Sequence, residues 1–202
     1  MINLNIPTQL KGGRHDTVTM YCTNNEKSAK NYFEQLKTRL QSVNEWNNFS
    51  DDVKAEFTLI DPKSKKRTAA FKKNMLIKID IPSLGNPSGK GYDWTKIIDV
   101  QNGIHQDHSF LLMTLRPCAE FDESDKPISH FYTSASTNTF IVRKIGCCLY
   151  AEVHGRNEIE NTSDVPYIDI MRNQAVAIGS KVGLGDLNWL GFTKALLEPF
   201  KK

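Results

Sequence analysis

The run Ala151-Glu152-Val153-His154-Gly155-Arg156-Asn157-Glu158 concentrates more reactive side chains than any other stretch of the chain. In an extended strand, residues two apart share a face, which sets Glu152 beside His154. A carboxylate next to an imidazole tunes proton transfer, and Arg156, two residues on, suits an anion. The same residues have a plainer use. Glu152 and His154 can serve as surface partners while Arg156, Asn157 and Glu158 tie a loop to nearby backbone. Ser129-His130 is a secondary pair, although no nucleophile-elbow pattern surrounds any serine.

Four other stretches invite a chemical reading. Ser83 to Asp93 is rich in glycine and contains Lys90, but three residues, not four, separate Gly85 from Gly89, and Gly91 follows the lysine. That spacing is not a phosphate loop, and an inter-strand loop or lid is expected instead. His105 and His108 would share a face on a helix, yet Asn102-Gly103 before them and a strand after them read as a turn, and no third ligand is near. No metal site is therefore expected, and no motif implies a cofactor. Lys63-Ser64-Lys65-Lys66-Arg67, with Lys72 and Lys73, is the densest basic patch. Only Phe71 lies close enough for base stacking, so nucleic acid is not expected as a partner. Cys22, Cys118, Cys147 and Cys148 fit no metal spacing. The adjacent pair points to opposite faces of a strand, and all four read as reduced, structural thiols.

The elements that position these residues follow from periodicity. Thr17–Tyr21 reads as a first strand. Thr23-Asn24-Asn25-Glu26 reads as a capping box ahead of a helix whose apolar stripe is Ala29, Tyr32, Phe33, Leu36, Leu40 and Val43. Trp46 and Phe49 then pin the exit loop. Strands are expected at Ala55–Ile60, Met75–Ile81, Trp94–Val100, Phe110–Leu115, Thr139–Ile145 and Cys148–His154, joined by short links typical of an antiparallel sheet. Helical spacing returns at Ile168, Met171, Ala175 and Ile178. Gly183-Leu184-Gly185 interrupts it, and Asp186 can cap a final helix through Leu197.

Helix, then sheet, then helices is an α+β arrangement, with an antiparallel sheet packed on an N-terminal amphipathic helix and a split helical C-terminus. The chain has 202 residues, 39% hydrophobic and 24% charged, with a formal net charge of +3. That length buries about 70% of the unfolded surface without help from metals, and no linker or repeat divides it, so one domain over 1–202 is expected. No apolar run reaches the roughly 20 residues of a membrane helix. The first residues lack a signal-peptide core, which makes a cytoplasmic location the expectation.

AEVHGRNE, together with FIVRKIG before it and NWLGFTKALL near the end, resembles a family of uncharacterised bacterial proteins. The resemblance spans most of the chain and implies no activity. The order of elements is also similar to helix-grip (START-like) ligand-binding proteins, from which the split final helix and the 83–93 insertion depart. That similarity implies a module for a small apolar or lipid-like ligand, with Trp94, Phe110, Met113, Phe131 and Phe140 as candidate lining residues and a cavity of several hundred Å3. Two other readings stand beside it. One is a scaffold or interaction protein acting as a homodimer, and the other is an enzyme centred on Glu152, His154 and Arg156.

Overall fold

The computed structural model describes residues 4–49, 51, 54–82, 85–105, 108–162, 173 and 188–201. Its strands are β1 (Gly13–Cys22), β2 (Glu56–Asp61), β3 (Lys66–Arg67), β4 (Leu76–Asp80), β5 (Asp93–His105), β6 (His108–Pro117), β7 (Thr137–Ile145) and β8 (Cys148–Glu158). They form an antiparallel sheet in the order β1-β8-β7-β6-β5-β4-β2-β3. Helices α1 (Glu26–Gln41) and α2 (Trp189–Leu197) pack against the β1, β7 and β8 side. The result is α+β, as the element order predicts.

Alternation decides which residues enter the core. Ile77, Ile79, Ile97, Leu111, Met113, Phe140, Val142, Ala151 and Val153 face the helices and are buried. α1 meets them with Phe33, Leu36 and Leu40, the stripe expected from its spacing. A short 3-10 segment, Val43–Phe49, then delivers Trp46 to the centre. The indole is fully buried against Phe57, Phe140 and Phe192, at ring separations of 5.2, 5.2 and 4.9 Å. Its Nε1 donates to Leu40 O (3.1 Å), so the polar end of this large side chain is satisfied. Arg39 joins the two helices by donating to Ala195 O and Leu196 O at the C-terminal end of α2.

The cap differs from the expected capping box. Asn25 is the N-cap, its Oδ1 accepting from Ser28 N, while the Thr23 hydroxyl donates to Asn25 O and Cys147 O. Thr23 is spent on joining the strand end to the hairpin. The strands are mostly longer than predicted, because β5, β6 and β8 run on through polar and glycine residues whose backbone pairing sequence pattern underrates. The short β3 lies in the basic stretch that the pattern assigns to a hairpin tip. α2 is capped by Asn188, whose Oδ1 accepts from Gly191 N. The helix expected around 164–178, the break at 183–185 and the Asp186 cap lie outside the described residues. Among the described residues no helix is long and apolar enough to cross a membrane.

The cysteines depart from expectation. Cys22 and Cys148 are directly opposed in the β1–β8 ladder and form a disulfide. Sequence separation hid a pairing that strand register creates. Cys147 sits beside it in the two-residue turn Gly146-Cys147, where Gly146 supplies the positive φ (55°) such a hairpin needs. Cys118 is buried, and that burial, with Asp122 nearby, pushes its thiol up to about 12.

Candidate functional site

The side of β8 turned away from the helices carries Glu152, His154 and Arg156, flanked in register by β1 and β7. His154 lies between two carboxylates: Nε2 is 2.9 Å from Glu152 Oε2 and Nδ1 is 2.5 Å from Asp16 Oδ1. Arg143 of β7 pairs with the other oxygen of Glu152, and Arg156 Nη2 donates to Asp16 Oδ1 at 2.6 Å. Glu152 and His154 are buried, with 4% and 7% of their surface exposed.

Two carboxylate acceptors ask both ring nitrogens of His154 to donate, which only the imidazolium does. Burial opposes that charge, but the hydrogen bonds His154 donates to Glu152 and Asp16 outweigh it, and the pKa rises above the usual 6.5. Burial likewise opposes ionisation of Asp16, and His154 and Arg156 outweigh it to hold the carboxyl below its usual range. This arrangement stores charge and ties three strands together. An imidazole with both N–H groups engaged has no lone pair to act as a base.

Asn157 is a backbone clamp. It takes a positive φ (54°), its Oδ1 accepts from Leu10 N and Lys11 N, and its Nδ2 donates to Thr8 O. On the opposite face of the sheet, His15 lies over Gly155 with Nδ1 2.8 Å from Glu158 Oε1. A Cβ at Gly155 would collide with the His15 ring and the Glu158 carboxylate.

A second site lies between the helix-facing side of the sheet and α2. Phe57, Ile79, Thr95, Leu115, Asn138 and Phe140 form the floor, and His130, Phe131, Tyr132, Ser136 and Trp189 form the walls. His130 and Phe131 stack at 4.1 Å, and Trp189 meets Phe140 edge-on at 5.2 Å. The cleft holds about 420 Å3 of unoccupied space with its mouth included, so narrow that it has room for little more than one water molecule. It is far tighter than the expected cavity. Two of its polar atoms, Thr95 Oγ1 and Asn138 Oδ1, are buried without a hydrogen-bond partner among the described residues. A wider surface groove, with about 900 Å3 of unoccupied space including its mouth, runs past Thr38, Gln41, Glu45 and Arg67, and none of its described lining residues is aromatic.

Of the lining candidates, Phe131 and Phe140 reach the cleft. Met113 is buried in the adjoining core. Trp94 and Phe110 are on the other face: Trp94 packs with Ile60, Leu76, Cys118 and Phe121, and Phe110 lies beside Leu4 and Arg143. Alternation is the reason, since Thr95 and Met113 face the helices and their neighbours Trp94 and Phe110 differ by an odd step. Thr95, Asn138, Tyr132 and Trp189 were missed. Extending the phase of Ile77 and Ile79 across the sheet would have found Thr95.

The remaining motifs are engaged structurally. The Ser129 hydroxyl donates to Ser88 O, and His130 Nδ1 accepts from Tyr132 N. The glycine-rich loop folds as a 3-10 turn, Pro87–Gly89, with Asn86 Nδ2 donating to Asp93 Oδ1. In the basic patch, Lys65 pairs with Glu123 and Arg67 with Glu45. His105 and His108 are opposed at the end of the β5–β6 hairpin. Among the described residues no group of three or more His, Cys, Asp or Glu side chains is arranged to hold a metal ion.

No family model and no curated protein matches the chain. Among solved structures, the crystal structure of a major latex-like protein from Panax ginseng (ginseng) matches with a TM-score of 0.32 and 9% identity, over 84% of this chain and 98% of that one.

Proposed function

We propose that the chain binds a small, flat, largely apolar molecule in the cleft between Trp189, Phe131 and the sheet. The observation that carries this reading is the pair of orphaned polar atoms, Thr95 Oγ1 and Asn138 Oδ1, set in an aromatic-walled cleft. Leaving such atoms unpaired costs about 1–3 kcal/mol each, a cost a ligand carrying an N–H or O–H group would remove. A few convergent polar groups in an apolar wall are the usual makeup of a small-molecule site. The narrow free space favours a ring sliding between aromatic faces over a folded acyl chain.

Titration with anilinonaphthalene sulfonate, an aromatic dye with an N–H donor, tests this. Saturable one-to-one binding is expected, with a change in tryptophan emission. Thr95→Val removes the orphaned oxygen at nearly constant volume, so it should weaken dye binding about tenfold, the worth of one hydrogen bond, without lowering Tm. Absence of saturable binding, or unchanged affinity in Thr95→Val, would count against the proposal.

A further inference from the structure

β1 is an edge strand, and its free side carries an open ladder. Thr23 N donates to Cys147 O at 2.9 Å, which sets the phase of the β1–β8 pairing. Thr17, Thr19 and Tyr21 therefore turn their backbone groups to β8, and Asp16, Val18, Met20 and Cys22 turn theirs outward. Among the described residues those outward groups meet no partner strand. Edge strands are ordinarily blunted by shortness, proline or charge. β3, at the other edge, is two residues long. β1 runs ten residues without proline, and its side chains Val18 and Met20 are 50% and 55% exposed. On the other, helix-facing side of the strand Leu190 is 49% exposed, and its carbonyl accepts from the Thr193 hydroxyl, which lies 2.8 Å from that of Thr19.

We infer that β1 pairs antiparallel with β1 of a second copy of this chain, about a two-fold axis through Thr19. The strand is self-complementary in that register. Val18 stands opposite the partner's Met20, Asp16 opposite the partner's Cys22, and every outward N–H and C=O from Asp16 to Cys22 is paired. Moving the axis to Val18 sets Met20 against the partner's Asp16, and moving it to Thr17 sets Met20 against the partner's Arg14. Both bury a methionine against a charge. A symmetric pairing of this kind is isologous, so it closes at a dimer and joins two sheets into one. The surface is independent of the cleft.

Sedimentation velocity at about 1 mM chain, well above micromolar affinities, should show the dimer. Val18→Lys should shift it to monomer, and Val18→Lys with Met20→Glu should restore it through two cross-strand ion pairs that only the Thr19-centred register provides. Both side chains are half exposed in the single chain, so the variants keep the fold, which circular dichroism checks. In the unmodified chain, amide exchange at Val18 and Met20 should slow as concentration rises. A monomeric wild type, a Val18→Lys variant that associates like wild type, a double variant no better than the single one, or concentration-independent exchange at those amides would each overturn the inference.

Discussion

His154 Nδ1 lies 2.5 Å from Asp16 Oδ1, an ion pair that fastens β8 to the edge strand β1. The folded state raises the pKa of His154, so this contribution is complete below its unfolded value, about 6.5, and is lost as pH rises through the folded value. Asp16 behaves oppositely: its lowered pKa contributes above the usual 3.8 and is lost as pH falls through the folded value. Urea denaturation followed from about pH 5 to 9 should show stability falling on the alkaline side. His154→Gln should flatten that limb and cost roughly 3 kcal/mol, the low end for breaking a buried pair, because Arg143 still pairs Glu152. An unchanged alkaline limb in His154→Gln would show that another group sets it.

Gly155 makes room for His15. Gly155→Ala would drive its methyl group into the imidazole and the Glu158 carboxylate, and should destabilise by about 1–3 kcal/mol, the usual range for overpacking. Combining it with His15→Ala should recover part of that loss, and urea midpoints for the two single variants and the double one measure the coupling. Strict additivity would mean that the two residues do not meet.

The three classes of cysteine should separate by alkylation and mass spectrometry. Without reductant, Cys147 alone is expected to label, since Cys118 is buried with its thiol pushed up to about 12 and Cys22 is bonded to Cys148. After reduction Cys22 and Cys148 should join it, with a stability loss of about 4–5 kcal/mol expected for opening a loop of this size. Labelling of Cys22 before reduction would exclude the disulfide.

Much of the frame was legible because period-2 and period-3.6 patterns report burial directly: the α1 stripe and the inward residues of β4 and β7 follow from them. Strand order and register were not, because pairing is a long-range property, and with them went the Cys22–Cys148 bond. Glu152 and His154 could be set on one face by counting. Their third partner, Asp16, comes from a strand far away in sequence, and nothing local announces it. In the cleft, picking aromatics by type selected Phe131 and Phe140 together with Trp94 and Phe110, which alternation sends to the other side. Type marks a candidate, and phase decides its face.

The placement of β1 beside β8 also bears on how the chain assembles. The strand made first pairs with the strand made last among those described, and Cys22 and Cys148 are separated by 126 positions. Hairpins such as β5–β6 and β7–β8 can close locally as they emerge, whereas β1 must wait until residues up to Glu158 have been made. Non-local pairing of this kind slows folding. During synthesis, β1 spends that interval with both of its edges bare. The nascent chain is then most exposed to wrong strand partners through the same residues, Val18 and Met20, that remain half exposed when folding is complete.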